Sequence, residues 1–156
     1  MDFVHTPAET FAWNDTMLIG QGEIDEEHRE FVRVVADLHD CTAGTASACL
    51  SAVLNHLLAH FEIEESWMER LAFPAAQCHG DEHRKVLDAV SKVHDLAAMG
   101  GVALSDVKRL AKALIDWFPG HANYMDSALA TWISKKTHGG APIVLRRGLE
   151  LHATCV

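Results

Sequence analysis

One stretch decides the fold, residues 57–68, with the sequence LLAHFEIEESWM. Its large apolar residues recur at the three- and four-residue spacing of a helix face that packs into a core. A four-residue step returns to within roughly 40° of the same direction, so His60 and Glu64 point the same way. The predicted inward face comprises Val53, Leu57, His60, Glu64, Trp67 and Leu71. A buried glutamate is costly unless it is paired, neutralised or metal-bound, and on this stretch alone a single buried histidine–glutamate hydrogen bond explains both groups.

The composition is that of one acidic domain. A chain of 156 residues is long enough to bury a sizeable core. It has 13 basic and 22 acidic residues, a net charge of −9, and no basic face, so nucleic acids and anionic membranes are poor partners. The sequence shows no secretion signal and no membrane span, and its four cysteines form no Cys-x-x-Cys pair, so we expect a cytoplasmic protein with reduced thiols. Histidine is unusually frequent, with 11 residues.

The apolar periodicity predicts four helices. They cover residues 25–39, 46–71, 75–98 and a stretch that begins near Ser105, a plausible N-cap, and continues through Trp132. Short loops join them. We therefore expect an all-α fold, an up-down-up-down antiparallel four-helix bundle.

A shorter segment flanks the predicted bundle at each end. Residues 1–23 form an N-terminal arm whose large side chains, such as Phe11 and Trp13, pack across the bundle. We expect residues 1–138 to form one domain with this arm, and residues 139–156 to form a C-terminal tail. The tail is too short for an output domain, so it docks on the bundle or contacts a second subunit.

Every predicted helix places polar side chains inward at similar depth. They are five imidazoles and two carboxylates: His28, His60, Glu64, His79, His83, His121 and Asp126. A lone inward histidine is most often a core residue with satisfied hydrogen bonds. Seven such groups in a dry core leave too many unmatched donors and acceptors. A metal site explains them better.

The number of ligands predicts two metal ions. Five imidazoles, two bridging carboxylates and one bridging oxide or hydroxide fill all but one position of two six-coordinate ions. Imidazole with carboxylate suits iron, zinc, copper or manganese. A pair of ions with one open position favours iron, with dioxygen as the added ligand.

One spacing does not fit a regular helix. The five-residue step from His121 to Asp126 turns an α-helix by about 140°, so the two side chains would not share a face. Pro119 removes one backbone hydrogen bond and usually kinks a helix. We expect either a long reach by Asp126 or a local distortion near Pro119.

The joint pattern closely resembles the hemerythrin family. It covers about residues 11–134, with the motifs Trp13-Asn14-Asp15, Ile24-Asp25-x-x-His28, His60-x-x-x-Glu64-Glu65, His79-x-x-x-His83 and His121-x-x-x-x-Asp126. The resemblance implies a non-heme di-iron centre that binds O2 reversibly.

The resemblance also implies how the ligands divide between the two ions. His79, His83 and His121 would bind one iron. His28 and His60 would bind the other, whose sixth position takes O2, and Glu64 and Asp126 would bridge the pair.

Residues near the ligands are interpreted by their spacing. Phe31, Trp117 and Phe118 are core residues that also wall the O2 pocket, and Phe118 is bulkier than the aliphatic residue expected three positions before His121. We expect Phe118 to alter O2 access and affinity more than metal binding. His56 is interpreted as a partly exposed histidine rather than a support or competitor of the ligands. Glu62, Glu65 and Glu69 are assigned to the solvated face.

The leading hypothesis is a small O2-binding protein, a carrier, store or scavenger rather than an enzyme. The first alternative is a sensor of O2, redox state or iron loading, read by a separate partner. A di-iron oxidase is the weaker alternative. Ferritin-like enzymes use glutamates with paired Glu-x-x-His motifs, and no glutamate here has a histidine three residues later.

Overall fold

The computed structural model describes residues 10–139, and these residues form helices and loops without any strand. The elements are a 3-10 turn at Asp15–Met17, α1 (Gly22–Asp40), α2 (Ala46–Arg70), α3 (Ala76–Ala98), α4 (Leu104–Gly120), a π-helical turn at His121–Asp126, and α5 (Ser127–Thr137). The last three follow one another without a break and form the fourth helix of the bundle. The predicted all-α four-helix bundle is confirmed, with α1 packed against α2 and α4, and α3 against α2 and α4.

The start of α4 differs from the prediction. The helix begins at Leu104, and the N-cap residue is Ala103, whose backbone is extended and whose side chain makes no capping bond. Ser105 already lies in the first turn, so its assignment as N-cap is wrong. Leu104 packs partly buried against the main apolar cluster, and this packing favours a start one residue before the serine.

Two apolar clusters occupy the core, and Glu64 and Asp126, for example, each lie between residues of the two clusters along the chain. The larger cluster includes Phe31 and Leu57, and the smaller one comprises Ile24, Met68, Phe73, Leu129 and Ile133. In α1, His28 likewise lies between Ile24 of one cluster and Phe31 of the other. The bundle therefore encloses its polar groups in apolar walls at both ends.

The inward face of α2 ends differently from the prediction. Met68 is buried, whereas Trp67 and Leu71 are only half-buried. The indole N–H of Trp67 donates to a carboxylate oxygen of Glu23 on α1, over 2.8 Å. This bond holds the indole at the rim of the bundle, and the slimmer methionine fills the core.

The arm is fixed to the start of α1. The carboxylate of Asp25 accepts hydrogen bonds from the backbone N–H groups of Ile19 and Gly20, over 2.8 and 3.1 Å. Phe11 and Trp13 pack against the larger cluster, as expected for an arm that crosses the bundle. The tail, apart from Gly139, and the division at residue 138 lie outside the described residues.

Two further sequence expectations concern the membrane and the thiols. Between residues 10 and 139, none of the helices combines the length and apolar character needed to cross a bilayer. Cys41 and Cys49 carry free thiols. Cys78 is disulfide-bonded, so the expectation of a reduced thiol is wrong for this residue.

Candidate metal centre

The structure brings all seven inward polar residues into one cluster at mid-bundle. Each of them is at most 5% exposed. α1 contributes one ligand candidate, α2 two, α3 two, and the π-helical turn supplies the last two from its first and last residues: His28, His60, Glu64, His79, His83, His121 and Asp126. Residues from four helices, up to 98 positions apart in the chain, therefore meet in one dry volume.

The cluster divides into two groups that share both carboxylates. In the first group, Glu64 and Asp126 lie with His79, His83 and His121; in the second, they lie with His28 and His60. Within each group, one potential ligand atom per residue lies within 4.8 Å of those of all the others. This is the division that the sequence resemblance implies for two metal ions.

Glu64 directs one carboxylate oxygen to each group. Its Oε1 lies 2.9 Å from Nε2 of His60 and 3.9 Å from Nε2 of His28. Its Oε2 lies 3.3 Å from Nε2 of His79 and 3.1 Å from Nε2 of His83. A carboxylate in this position can bridge two cations.

The two carboxylate oxygens of Asp126 also face different groups. Its Oδ2 lies 2.9 Å from Nε2 of His28 in the smaller group. Its Oδ1 lies 3.0 Å from Nε2 of both His79 and His121 in the larger group. The cluster thus contains two carboxylates, each in a position to bridge the groups.

The π-helical turn explains how Asp126 reaches this position. At its end the backbone N–H of Ser127 donates to the carbonyl of Ala122, five residues earlier. Such a turn contains one residue more than an α-helical turn, so a five-residue step returns to the same face. The expected distortion near Pro119 is confirmed, and it has the form of a wide turn that follows the proline.

Removing one residue from the π-helical turn is expected to preserve the site. Tyr124 is 67% exposed within the turn, and its deletion leaves a four-residue step that keeps His121 and Asp126 on one face of an ordinary α-helix. The deletion variant should still bind two metal ions, measured by elemental analysis. Deletion of the exposed Glu62 is the control. It shortens the step from His60 to Glu64 from four residues to three and rotates the rest of α2 by about 100° relative to His60. A folded Tyr124 deletion without metal would contradict this account.

One residue near the cluster was misassigned from the sequence, and another makes a contact that the sequence did not indicate. Glu65 is exposed, as expected, but its Oε1 also lies 3.2 Å from Nδ1 of His83 and can orient that ring. His56 is not partly exposed: it is buried, at 9% exposure, between Phe31 and His60. Burial and the neighbouring His60 lower the pKa of His56 to about 4. The four-residue step from His56 to His60 was the available signal for its burial.

Aromatic rings surround the histidines. Phe118 is buried with its ring perpendicular to that of His28, centroids 5.1 Å apart, and it stacks on Phe31 at 4.7 Å. Trp117 stacks on His121 at 4.3 Å, on the side of the larger group. Phe61, which sequence reasoning did not single out, stacks on His83 at 3.8 Å. These contacts restrict ring rotation and exclude water from both groups.

The electrostatics of the cluster favour ionised carboxylates. Burial and the charge of Asp126 raise the pKa of Glu64, but contacts with His60 and His79 outweigh them and hold it well below its usual range. Burial likewise raises the pKa of Asp126, and contact with His121 reverses the balance, so this pKa also lies well below its usual value. Two anionic oxygen pairs therefore face five imidazoles.

The hydrogen bonds within the described residues do not satisfy this cluster. Four of its buried imidazole nitrogens have no hydrogen-bond partner there: Nδ1 of His28, His60, His79 and His121. Nε2 of His83, Oε2 of Glu64 and Oδ1 of Asp126 lie within 3.3 Å of polar atoms of the cluster, but without hydrogen-bond geometry. Unpaired buried polar atoms are rare in folded proteins and cost stability. Converging imidazole nitrogens and carboxylate oxygens are the donors that iron and zinc prefer. The residues present thus fit a metal site.

Comparison with known proteins shows related sequences over most of the chain. The family model described as "Hemerythrin HHE cation binding domain" matches residues 20–133. A bacteriohemerythrin of Ralstonia nicotianae is 32% identical over 124 residues, which cover 80% of this chain and 89% of the relative. A bacteriohemerythrin of Pseudomonas aeruginosa is 26% identical over 140 residues, 82% of this chain and 90% of the relative. A hemerythrin-like protein of Naegleria gruberi is 27% identical over 100 residues, 64% of this chain and 79% of the relative.

Proposed function

The chain belongs to the hemerythrin family, and we propose that it binds O2 reversibly at two iron ions held by the buried cluster. The observation that carries the proposal is the pair of residue groups with two shared carboxylates. Two ferrous ions supply the two electrons that O2 takes up and returns.

The proposed ligands follow from the two groups. His79, His83 and His121 hold one ion, and His28 and His60 hold the other. Glu64 and Asp126 would be shared by both ions, in keeping with the distances on both sides of each carboxylate. The group with two histidines offers fewer protein ligands than the other, and an ion held there would have room for O2.

The side chains around the proposed O2 position control the entry of O2 and of water. Phe118 covers His28, and Phe31 supports Phe118 from behind. We propose these two rings as the wall of the O2 pocket. Trp117 stacks on His121, so it belongs to the apolar wall beside the larger group of ligands. An apolar wall admits O2 and excludes water, which slows irreversible oxidation of the metal.

The proposed role is to carry, store or scavenge O2, without catalysis. Histidine-rich ligation stabilises high-valent iron less than the glutamate-rich sites of ferritin-like enzymes do. The sensor alternative, the C-terminal tail, the domain division and the cytoplasmic location stay predictions. The test is stoichiometry: protein loaded anaerobically with ferrous iron should contain two ions per chain and take up one O2 that is recovered by sparging. Uptake without recovery would favour an oxidase or redox sensor.

Metal binding is expected to release protons and to strengthen as the pH rises. In the metal-free protein, burial lowers the pKa of His79, but contacts with Asp126 and Glu64 outweigh burial and raise it to about 10. The ring is therefore protonated at pH 7, and a metal ion must displace that proton. Release of the His79 proton alone should raise the apparent affinity for Co2+ by up to about tenfold per pH unit between pH 6 and 9. Calorimetric titration in two buffers of different ionisation enthalpy measures the release, and its absence at pH 7 would contradict the expectation.

A further inference from the structure

A third group of possible ligands lies beside the proposed centre, between α1 and α2. It comprises Glu27, His56 and His60, with one potential ligand atom per residue within 4.8 Å of the others. Glu27 precedes His28 on α1, and His56 is one turn before His60 on α2. Nδ1 of His56 lies 3.8 Å from Oε2 of Glu27, a separation too long for a hydrogen bond.

Two buried nitrogens in this group have no partner within residues 10–139. They are Nε2 of His56 and Nδ1 of His60. Nε2 of His60 already faces Glu64 at 2.9 Å, so Nδ1 is the nitrogen that remains for another contact. Unpaired buried nitrogens are destabilising, and a ligand that bonds them is favoured.

Glu27 gives this group a connection to solvent. Its side chain is 26% exposed, whereas no residue of the buried cluster exceeds 5%. Glu30, one turn further along α1, is also at the surface, with its side chain 44% exposed, but its carboxylate is paired with Arg33. A hydrated cation that approaches this side of the bundle meets the carboxylate of Glu27 first and then the imidazoles.

We propose that Glu27, His56 and His60 form a third, transient site for a divalent transition metal, through which ferrous iron passes from solvent to the buried cluster. The inference rests on the proposed di-iron function. One carboxylate and two imidazoles are suitable ligands for such an ion. Because the buried groups offer four and five ligands against three here, the ion is held more weakly and moves inward.

His60 makes the transfer possible because it belongs to both groups. An ion in the third site shares this residue with the inner group, and Glu64 lies next to the ring on its other side. Transfer therefore consists of an exchange of ligands around His60, with no oxidation step. Once the buried centre is full, His60 binds it through Nε2 and keeps the ring proton on Nδ1. The third site then loses a ligand, so it acts during loading and not in the loaded protein.

The test is the rate at which metal-free protein takes up Co2+, followed by its visible absorption. A His56→Leu variant should load about tenfold more slowly, equivalent to about 1.4 kcal/mol in the barrier, yet still reach two ions per chain. Removal of Co2+ by a chelator should slow by the same factor, because a passage site changes both directions without changing the final affinity. Glu27→Gln should show the same behaviour, and the double variant should be no slower than either single one.

The control is His39→Leu, a histidine at the end of α1 outside this group. Equal loading rates in the wild type and in His56→Leu would overturn the proposal. An altered affinity at the buried centre would also overturn it, since that result assigns His56 to the positioning of His60. If the wild type binds no Co2+, the proposed di-iron function fails. That outcome is distinct from equal loading rates, which would overturn only the third site.

Discussion

Replacement of Glu64 by alanine is expected to remove both iron ions from the protein. Its two carboxylate oxygens face opposite groups, at 2.9 Å from His60 and 3.1 Å from His83. The substitution therefore removes a ligand from each ion and leaves Asp126 as the only carboxylate in either of the two groups. Mutation of a residue that merely supports a metal ligand costs roughly 10- to 100-fold in affinity, so the loss of a ligand shared by both ions should cost more.

The measurement is iron content per chain after anaerobic loading and desalting, together with helical circular dichroism to verify the fold. Glu62→Ala is the matched control, because Glu62 lies two residues earlier on the same helix and is exposed. The control should keep two irons. A folded Glu64→Ala protein with wild-type iron content would exclude Glu64 as a bridging ligand.

Replacement of Phe118 by leucine is expected to accelerate both O2 binding and O2 release while two irons remain bound. Phe118 is buried against His28 and does not contribute a ligand. Leucine leaves open space beside the proposed O2 position, and a gain of about tenfold in rate corresponds to about 1.4 kcal/mol in the barrier. More water should also enter, so irreversible oxidation should be faster.

Stopped-flow absorption after mixing with O2 measures these rates. Phe73→Leu is the control, since Phe73 is buried in the smaller apolar cluster, separate from the cluster that contains Phe118. Both variants lose aromatic packing, at a cost of roughly 1 to 3 kcal/mol. Unchanged O2 rates in Phe118→Leu would show that O2 enters and binds elsewhere.

Helical periodicity was sufficient to predict the bundle and the convergence of the polar residues. A helix face is defined by local spacing, so His60 and Glu64 were placed together without knowledge of the neighbouring helices. The five-residue step from His121 to Asp126 also revealed that the fourth helix had to be distorted. Its form could not be predicted, because both residues of the turn contact His79 of α3, and these contacts are not visible in the spacing of one helix.

The errors, and one missed contact, concern residues whose surroundings depend on a second helix. Glu65 is exposed, as predicted, but α3 also places His83 beside it, and that contact could not be predicted from α2 alone. His56 is buried because Phe31 of α1 covers it. Trp67 is drawn to the rim by Glu23 of α1. Spacing within one helix contains no information about these partners.

The central claim is that the buried cluster binds two irons that take up O2 reversibly. The most direct measurement is the visible spectrum of protein loaded with ferrous iron, recorded without O2, after admission of air, and again after sparging with inert gas. We predict an absorption band that appears with O2 and disappears on sparging, at two irons per chain. A band that persists after sparging, or a protein that binds no iron, would contradict the claim.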